Sequence, residues 1–197
     1  MKTLCMDTAH KDLIISLLEE DRVVSFYQEN AWKRQSEQIL PVIDELMKKA
    51  GWLPQELQQI VITKGPGSYT GVRIAMTIAK ILATRLHIPL YTLSTLQLYA
   101  GVEHCYVVLD ARGKRVYCAL YDMGKAILPD AIMTIEDFLS FRDKDIPIIG
   151  DGSVLGLEDY YPDFKQAFLD LKNNWVEVKE PHLLTPKYLK ENEAYKV

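Results

Sequence analysis

Cysteine is scarce: three residues in 197, at positions 5, 105 and 118, odd in number and without C-x-x-C spacing, which excludes a disulfide framework or a paired-thiol metal site. Each lies in an apolar stretch, the usual setting of a buried, reduced thiol. Histidine is almost as rare. His10, His87, His104 and His182 make no H-x-x-x-H pair, so no helix-borne metal site, and no cofactor, is expected. No run of about 18 apolar residues is present, and Met1-Lys2-Thr3 leads into a short strand-like run rather than a leader. The chain is therefore expected to be cytoplasmic, with no membrane contact. A dominant basic face is missing too: the net charge of −4 argues against a protein that grips nucleic acid unaided.

What is present is enough apolar material, 48% of residues, for a real core. Apolar runs at Thr3 to Met6, Leu13 to Leu18 and Val23 to Tyr27, separated by polar turns, predict a three-stranded meander. From Lys33 to Ala50 the apolar positions recur at three- and four-residue steps, predicting a helix that Gly51 ends. A buried strand over Leu57 to Thr63 runs through a glycine-rich turn into a second helix, from about Val72 to Leu86, and a strand from Pro89 to Leu93. A short helix from Thr95 to Gly101 follows.

The same plan then restarts. At an offset of 103, Leu4 falls on Val107, Asp7 on Asp110, Leu13 on Val116, Leu17 on Leu120 and Val24 on Ile127, without a gap. A helix near Ile135 to Phe141 and a strand at Ile146 to Ile149 then end in Gly150-Asp151-Gly152, which answers Gly65-Pro66-Gly67 at an offset of 85. The helical part of the second half is thus 18 residues shorter. Two such halves predict a duplicated mixed α/β fold of the actin-like, sugar-kinase-like class, with lobes at 1–101 and 102–197, the second one shortened and its tail able to pack back on the first.

The most distinctive stretch is Lys64 to Lys80. Gly65, Gly67 and Gly71 permit tight turns or close backbone approach, Pro66 fixes a dihedral, and Ser68 or Thr70, flanking Tyr69, can cap the helix. Gly71 is followed by Val72 and Arg73 rather than by lysine and a hydroxyl residue, so this is no Walker loop. Pro66 and Thr70 stand where a serine nucleophile elbow needs glycine. No serine, cysteine or metal constellation supports a peptidase.

This segment resembles the "GPGSFTGLR" signature of the TsaB (YeaZ) family. Further family landmarks follow in order: Asp7-Thr8, the stretch from Ser36 to Pro41, Ala79-Lys80, Ser94-Thr95-Leu96, Asp110 to Tyr117, Gly150-Asp151-Gly152 and Pro186 to Leu189. The sequence departs from the family pattern at Gln35 (usually histidine), Ala9 (serine), Tyr69 (phenylalanine), and Ala75 and Ile81 (glycines), and looks shorter between Gly156 and Lys179.

The resemblance implies a subunit without catalysis of its own. It would support a TsaD-type catalytic subunit, alongside a TsaE-type ATPase, in placing threonylcarbamoyl groups on tRNA adenosine, would form a homodimer when alone, and would meet tRNA only through the complex. It also implies association through the first two helices, which here carry Ser36, Glu37, Ile39, Leu40, Ile43 and Met47 on one and Val72, Arg73, Ala75, Met76, Ala79, Lys80 and Ala83 on the other. The second helix is apolar over more than one face, as expected of burial on more than one side. The alternative is a small-molecule kinase or ATPase of the same fold. Against it, the turns where such enzymes grip phosphate read Thr8-Ala9-His10-Lys11 and Ala111-Arg112-Gly113-Lys114, with one glycine between them. Asp7 and Asp110 can serve either as strand-end acid and base or as local turn caps. Small basic clusters, Lys33-Arg34 beside Trp32, Arg112 with Lys114 and Arg115, and Lys187 with Lys190, read as solvated surface.

Overall fold

A computed structural model describes residues 1–189. Lys190 therefore lies outside the described residues. The meander forms as β1 (Lys2–Asp7), β2 (Asp12–Glu19) and β3 (Arg22–Asn30), followed by α1 (Gln35–Ala50), β4 (Gln59–Thr63), α2 (Tyr69–Leu86), β5 (Leu90–Leu93) and α3 (Thr95–Ala100). The second half contributes β6 (Cys105–Asp110), β7 (Arg115–Asp122), β8 (Lys125–Thr134), α4 (Ile135–Phe141), β9 (Ile148–Gly150), α5 (Ala167–Asp170) and β10 (Val176–Glu177). Strands β6, β7 and β8 each begin 103 residues after β1, β2 and β3.

Topology repeats with the sequence. The first sheet runs β10-β5-β4-β1-β2-β3 and the second β8-β7-β6-β9. In both, a three-stranded antiparallel meander is extended by a parallel strand beside its first member, β4 next to β1 and β9 next to β6. The second hairpin is one residue tighter: Asp7 pairs with Ile14, whereas Asp110 pairs with Val116. This is the duplicated two-sheet architecture of the actin-like, sugar-kinase-like class, as the repeat implies.

Helix boundaries follow local chemistry. Gly51 takes a left-handed conformation (φ 68°) and closes α1 by donating its amide to the Lys48 carbonyl. Of the two candidate caps for α2, Ser68 is the one used: its hydroxyl accepts the Gly71 amide at 3.2 Å, and Thr70 sits inside the first turn.

Both faces of the first sheet are covered, which explains its nearly continuous apolar strands. On one face Leu4, Met6, Leu13, Ile15, Ile60 and Ile62 pack under α1 and α2. On the other, Cys5, Ile14, Leu18 and Val61 meet α3 and, through it, Val107, Leu109 and Ala119 of the second sheet. The outer face of the second sheet is covered chiefly by Phe138 of the seven-residue α4. Burial raises the Cys105 thiol to about 12 and the Cys118 thiol to about 11, which keeps both protonated. No described helix is long and apolar enough to cross a membrane.

The chain then returns. β10 pairs antiparallel with β5 at the edge of the first sheet, Val176 opposite Thr92, and farther on the Lys187 amide donates to the Lys64 carbonyl at 2.7 Å.

Candidate functional site

The glycine-rich segment is filled by the protein itself. The β1–β2 turn lies across it, so that a side-chain carbon on Gly67 would stand 2.3 Å from the Ala9 carbonyl oxygen and one on Gly71 2.2 Å from that of Thr8. The Ser68 amide donates to the Ala9 carbonyl at 2.7 Å. The Thr8 hydroxyl donates to the Gly71 carbonyl at 2.6 Å and accepts the Ala75 amide at 3.2 Å. These glycines therefore serve close backbone packing, and the helix start spends its groups on the hairpin.

The rest of that turn is tied to the second lobe. Asp151, from the Gly150-Asp151-Gly152 turn, is 1% exposed. Its carboxylate accepts the Lys11 ammonium at 2.7 Å, the Asp110 amide at 2.8 Å and the Tyr161 hydroxyl, with His10 Nε2 at 3.2 Å. Burial alone would raise its pKa, but the contacts with His10, the Asp110 amide and Lys11 outweigh that cost and hold the carboxyl well below the usual range. His10 is further fixed through its carbonyl, which accepts from Gln35 Nε2 at 2.7 Å. Gln35 thus joins the start of α1 to this hub.

The two strand-end aspartates occupy equivalent positions in opposite surroundings. Asp7 is fully buried; its Oδ1 accepts the Thr63 hydroxyl and the Ala9 amide, the latter at 3.2 Å, while Oδ2 has no partner among the described residues. Burial pushes its pKa up to about 6 against the pull of those bonds. Asp110 is exposed and accepts the Arg112 amide at 2.7 Å. Each carboxylate accepts the amide two residues on, the local turn-capping geometry.

Between the lobes lies a pocket of about 380 Å³ lined by His10, Lys11, Trp32, Ser68, Thr70, Asp110 and Tyr117, with Tyr69, Arg112 and Tyr188 among its other walls. Tyr69 and Tyr188 stack with centroids 5.1 Å apart at 19°. The segment bearing Tyr188 is anchored by Lys187, whose ammonium reaches the nearly buried Asp130 carboxylate at 3.0 Å, where Ser94 and Tyr121 also donate. A shallower depression of about 730 Å³ at Met1, Lys2, Glu19 and Glu56 is lined by surface ion pairs.

The residues expected on a partner-binding face divide sharply. Ile39, Ile43, Met47, Val72, Ala75, Met76, Ala79 and Ala83 are all buried in the chain's own core, because they point at the first sheet and at the neighbouring helix. Ser36, Glu37, Leu40 and Arg73 are exposed, and Lys80 is half-buried with its ammonium on the Leu184 carbonyl. Among the leucines and isoleucines of these helices the exposed ones are Leu40 (58%) and Ile81 (57%), with Ile74, Ile78, Leu82 and Leu86 half-buried, and Tyr69 at the start of α2 is also exposed. The signal for this second stripe was its own spacing: 74, 78, 81 and 82 recur at three- and four-residue steps, offset from the core stripe 72, 75, 76, 79 and 83.

Two sheets of repeated order, joined by buried polar groups across an inter-lobe pocket, define a duplicated actin-like α/β protein. Residues 26–153 match the model of the TsaD family, described as tRNA N6-adenosine threonylcarbamoyltransferase. The chain is 33% identical to the tRNA threonylcarbamoyladenosine biosynthesis protein TsaB of Bacillus subtilis, over 98% of this chain and 96% of that one. It is 30% identical to the Escherichia coli TsaB protein over 61% of this chain and 55% of that one. Among solved structures, a Pseudomonas aeruginosa protein described as similar to peptidase YEAZ superposes with a TM-score of 0.76 at 22% identity, over 96% of this chain and 99% of that one. YeaZ from the same organism gives 0.70 at 22% identity, over 95% and 99%. The chain belongs to the TsaB (YeaZ) family of tRNA threonylcarbamoyladenosine biosynthesis proteins.

Proposed function

We propose that the chain is a non-catalytic partner subunit that supports a TsaD-type catalytic subunit, with a TsaE-type ATPase, in making threonylcarbamoyladenosine in tRNA, and that it pairs with itself when alone. The observation that carries this reading is the outward stripe of α1 and α2: Leu40 and Ile81 are more than half exposed on helices whose inward faces are already filled. On the same helix as Ile81, Ile74, Ile78 and Leu82 are half-buried, and Ser36, Glu37 and Arg73 are exposed on the two helices. Each aliphatic side chain fully buried by a partner contributes roughly 1.5 to 3 kcal/mol, so this stripe suffices to nucleate an interface. The filled glycine-rich segment supports a supporting rather than a phosphate-handling role.

The test is co-elution of the full chain with a TsaD-type subunit. Ile81→Asp and Leu40→Asp, at exposed positions, leave the unfolding transition in place and abolish co-elution. Undiminished co-elution of both variants rejects the reading. Tight binding of ATP and magnesium by the isolated chain, seen by calorimetry, would instead favour a kinase or ATPase.

A further inference from the structure

Two basic, aromatic segments 80 residues apart in sequence meet at the inter-lobe pocket. Trp32, followed by Lys33 and Arg34, comes from the loop before α1, and Arg112 comes from the β6–β7 turn with Lys114 and Arg115. The Arg112 guanidinium lies 6.0 Å from the centre of the Trp32 ring. Tyr69 and Tyr188, stacked on each other, line the same pocket, and the Arg73 guanidinium lies 5.2 Å from the Tyr69 ring. None of these rings is hidden: Trp32 is 39% exposed, Tyr69 56% and Tyr188 41%.

Large rings left open in a concave basic setting are costly to a lone protein and suit unpaired nucleotides, whose bases stack on aromatic faces while phosphates meet arginine and lysine. The volume, about 380 Å³, falls within the range of small-ligand sites, roughly 300 to 1,000 Å³. A duplex offers no free base faces to such a pocket. Asp110, the carboxylate in the lining, is engaged by the Arg112 amide, and Lys11 is held by Asp151, which leaves Arg112 as the lining cation that faces Trp32, while Arg73 bonds the Tyr69 hydroxyl at 2.6 Å. The overall charge of −4 argues against an extended phosphate track, so affinity here rests on stacking of a single base, with one arginine at the rings.

We propose that this pocket takes one unpaired nucleotide of an RNA, its base among the exposed rings of Trp32, Tyr69 and Tyr188 and its phosphate toward Arg112. The choice of RNA over a free mononucleotide, which presents the same chemistry, rests on the role in tRNA modification set out under the proposed function.

The experiment is fluorescence anisotropy of a labelled single-stranded RNA of ~8 nucleotides, titrated with the full chain at low salt. Trp32→Ala and Arg112→Asn are compared with wild type; asparagine tolerates the positive φ of 61° at position 112. Wild type binds the strand, binds the matching duplex far more weakly, and loses affinity with salt at a logarithmic slope of about −0.7 for each phosphate engaged. Each substitution weakens binding at least about fivefold, while the unfolding midpoint and co-elution with a TsaD-type subunit stay unchanged. Equal affinity of wild type and both variants, or no binding at all, overturns the site. AMP that displaces the strand at equal concentration overturns the RNA assignment. If the Ile81 and Leu40 variants co-elute normally while these two lose RNA, the partner reading falls and this site stands.

Discussion

Asp151 of the second lobe holds the Lys11 ammonium of the first at 2.7 Å, although 140 residues separate them, and does so from a position only 1% exposed. The same carboxylate takes the Asp110 amide and the Tyr161 hydroxyl, so one buried charge fixes the distance between the two hairpin turns that frame the pocket.

Asp151→Asn removes the charge but keeps the shape. We expect a loss of about 2 to 3 kcal/mol, measured by urea unfolding, because several charge-assisted bonds weaken together. Lys11 is partly solvated, so its own share is small. Since the folded carboxyl is held below its ordinary value of 3.8, its contribution is complete above that pH and fades as pH falls through and below it. A variant as stable as wild type at pH 7 would show that the hub carries no net energy.

Asp7 behaves in the opposite sense. Its folded pKa of about 6 lies above the ordinary 3.8, so the native state binds the extra proton between those values and stability from this group falls as pH rises through that window. Keeping it ionised at pH 7 costs about 3 kcal/mol at about 1.4 kcal/mol per pH unit. Asp7→Asn is therefore expected to be more stable than wild type by about 1 to 3 kcal/mol above pH 6, the advantage shrinking toward pH 4. Unfolding curves of both proteins from pH 4 to 8 decide this, and a constant difference across the range refutes it.

Gly67→Ala and Gly71→Ala force a carbon onto backbone oxygens at 2.3 and 2.2 Å, which no rotamer relieves. Each is expected to cost about 3 kcal/mol or more in thermal or urea unfolding. Gly113→Ala is the control: its φ is 63° but nothing among the described residues stands within 4 Å, so the cost is about 1 kcal/mol.

Substitutions on the two faces of α2 separate folding from association. Ala79→Glu and Met76→Asp place charge where exposure is 0% and 3%, and the expected outcome is an unfolded or insoluble chain rather than a folded monomer unable to assemble. Ile81→Asp keeps the far-ultraviolet circular dichroism spectrum. A folded, soluble Ala79→Glu protein would contradict the assignment of this face to the core.

Much of the fold was legible because periodicity and repetition are local signals. The 103-residue offset located β6, β7 and β8, and the limits of α4 coincide with the apolar spacing from Ile135 to Phe141. What the helix pattern could not do was divide α2 between inside and outside. Val72 and Ile81 are equally apolar, and only the position of β4 and α1 decides that the first is buried and the second exposed. Nor did spacing reveal Asp151 as a hub, since its partners His10, Lys11 and Tyr161 come from distant loops. Trp32 and Arg112 read separately as solvated clusters for the same reason, and only the closure of the lobes brings them together.

The return of β10 to the edge of the first sheet means that the half of the molecule made first is finished last. During synthesis β5 must wait with a bare edge until the ribosome has passed residue 176, and the glycine-rich turn waits longer still, until Lys187 arrives to bond Lys64. A fragment ending after α3 would leave the β5 edge and the Lys64 carbonyl without these partners, so the second half of the chain supplies the last strand of the first sheet.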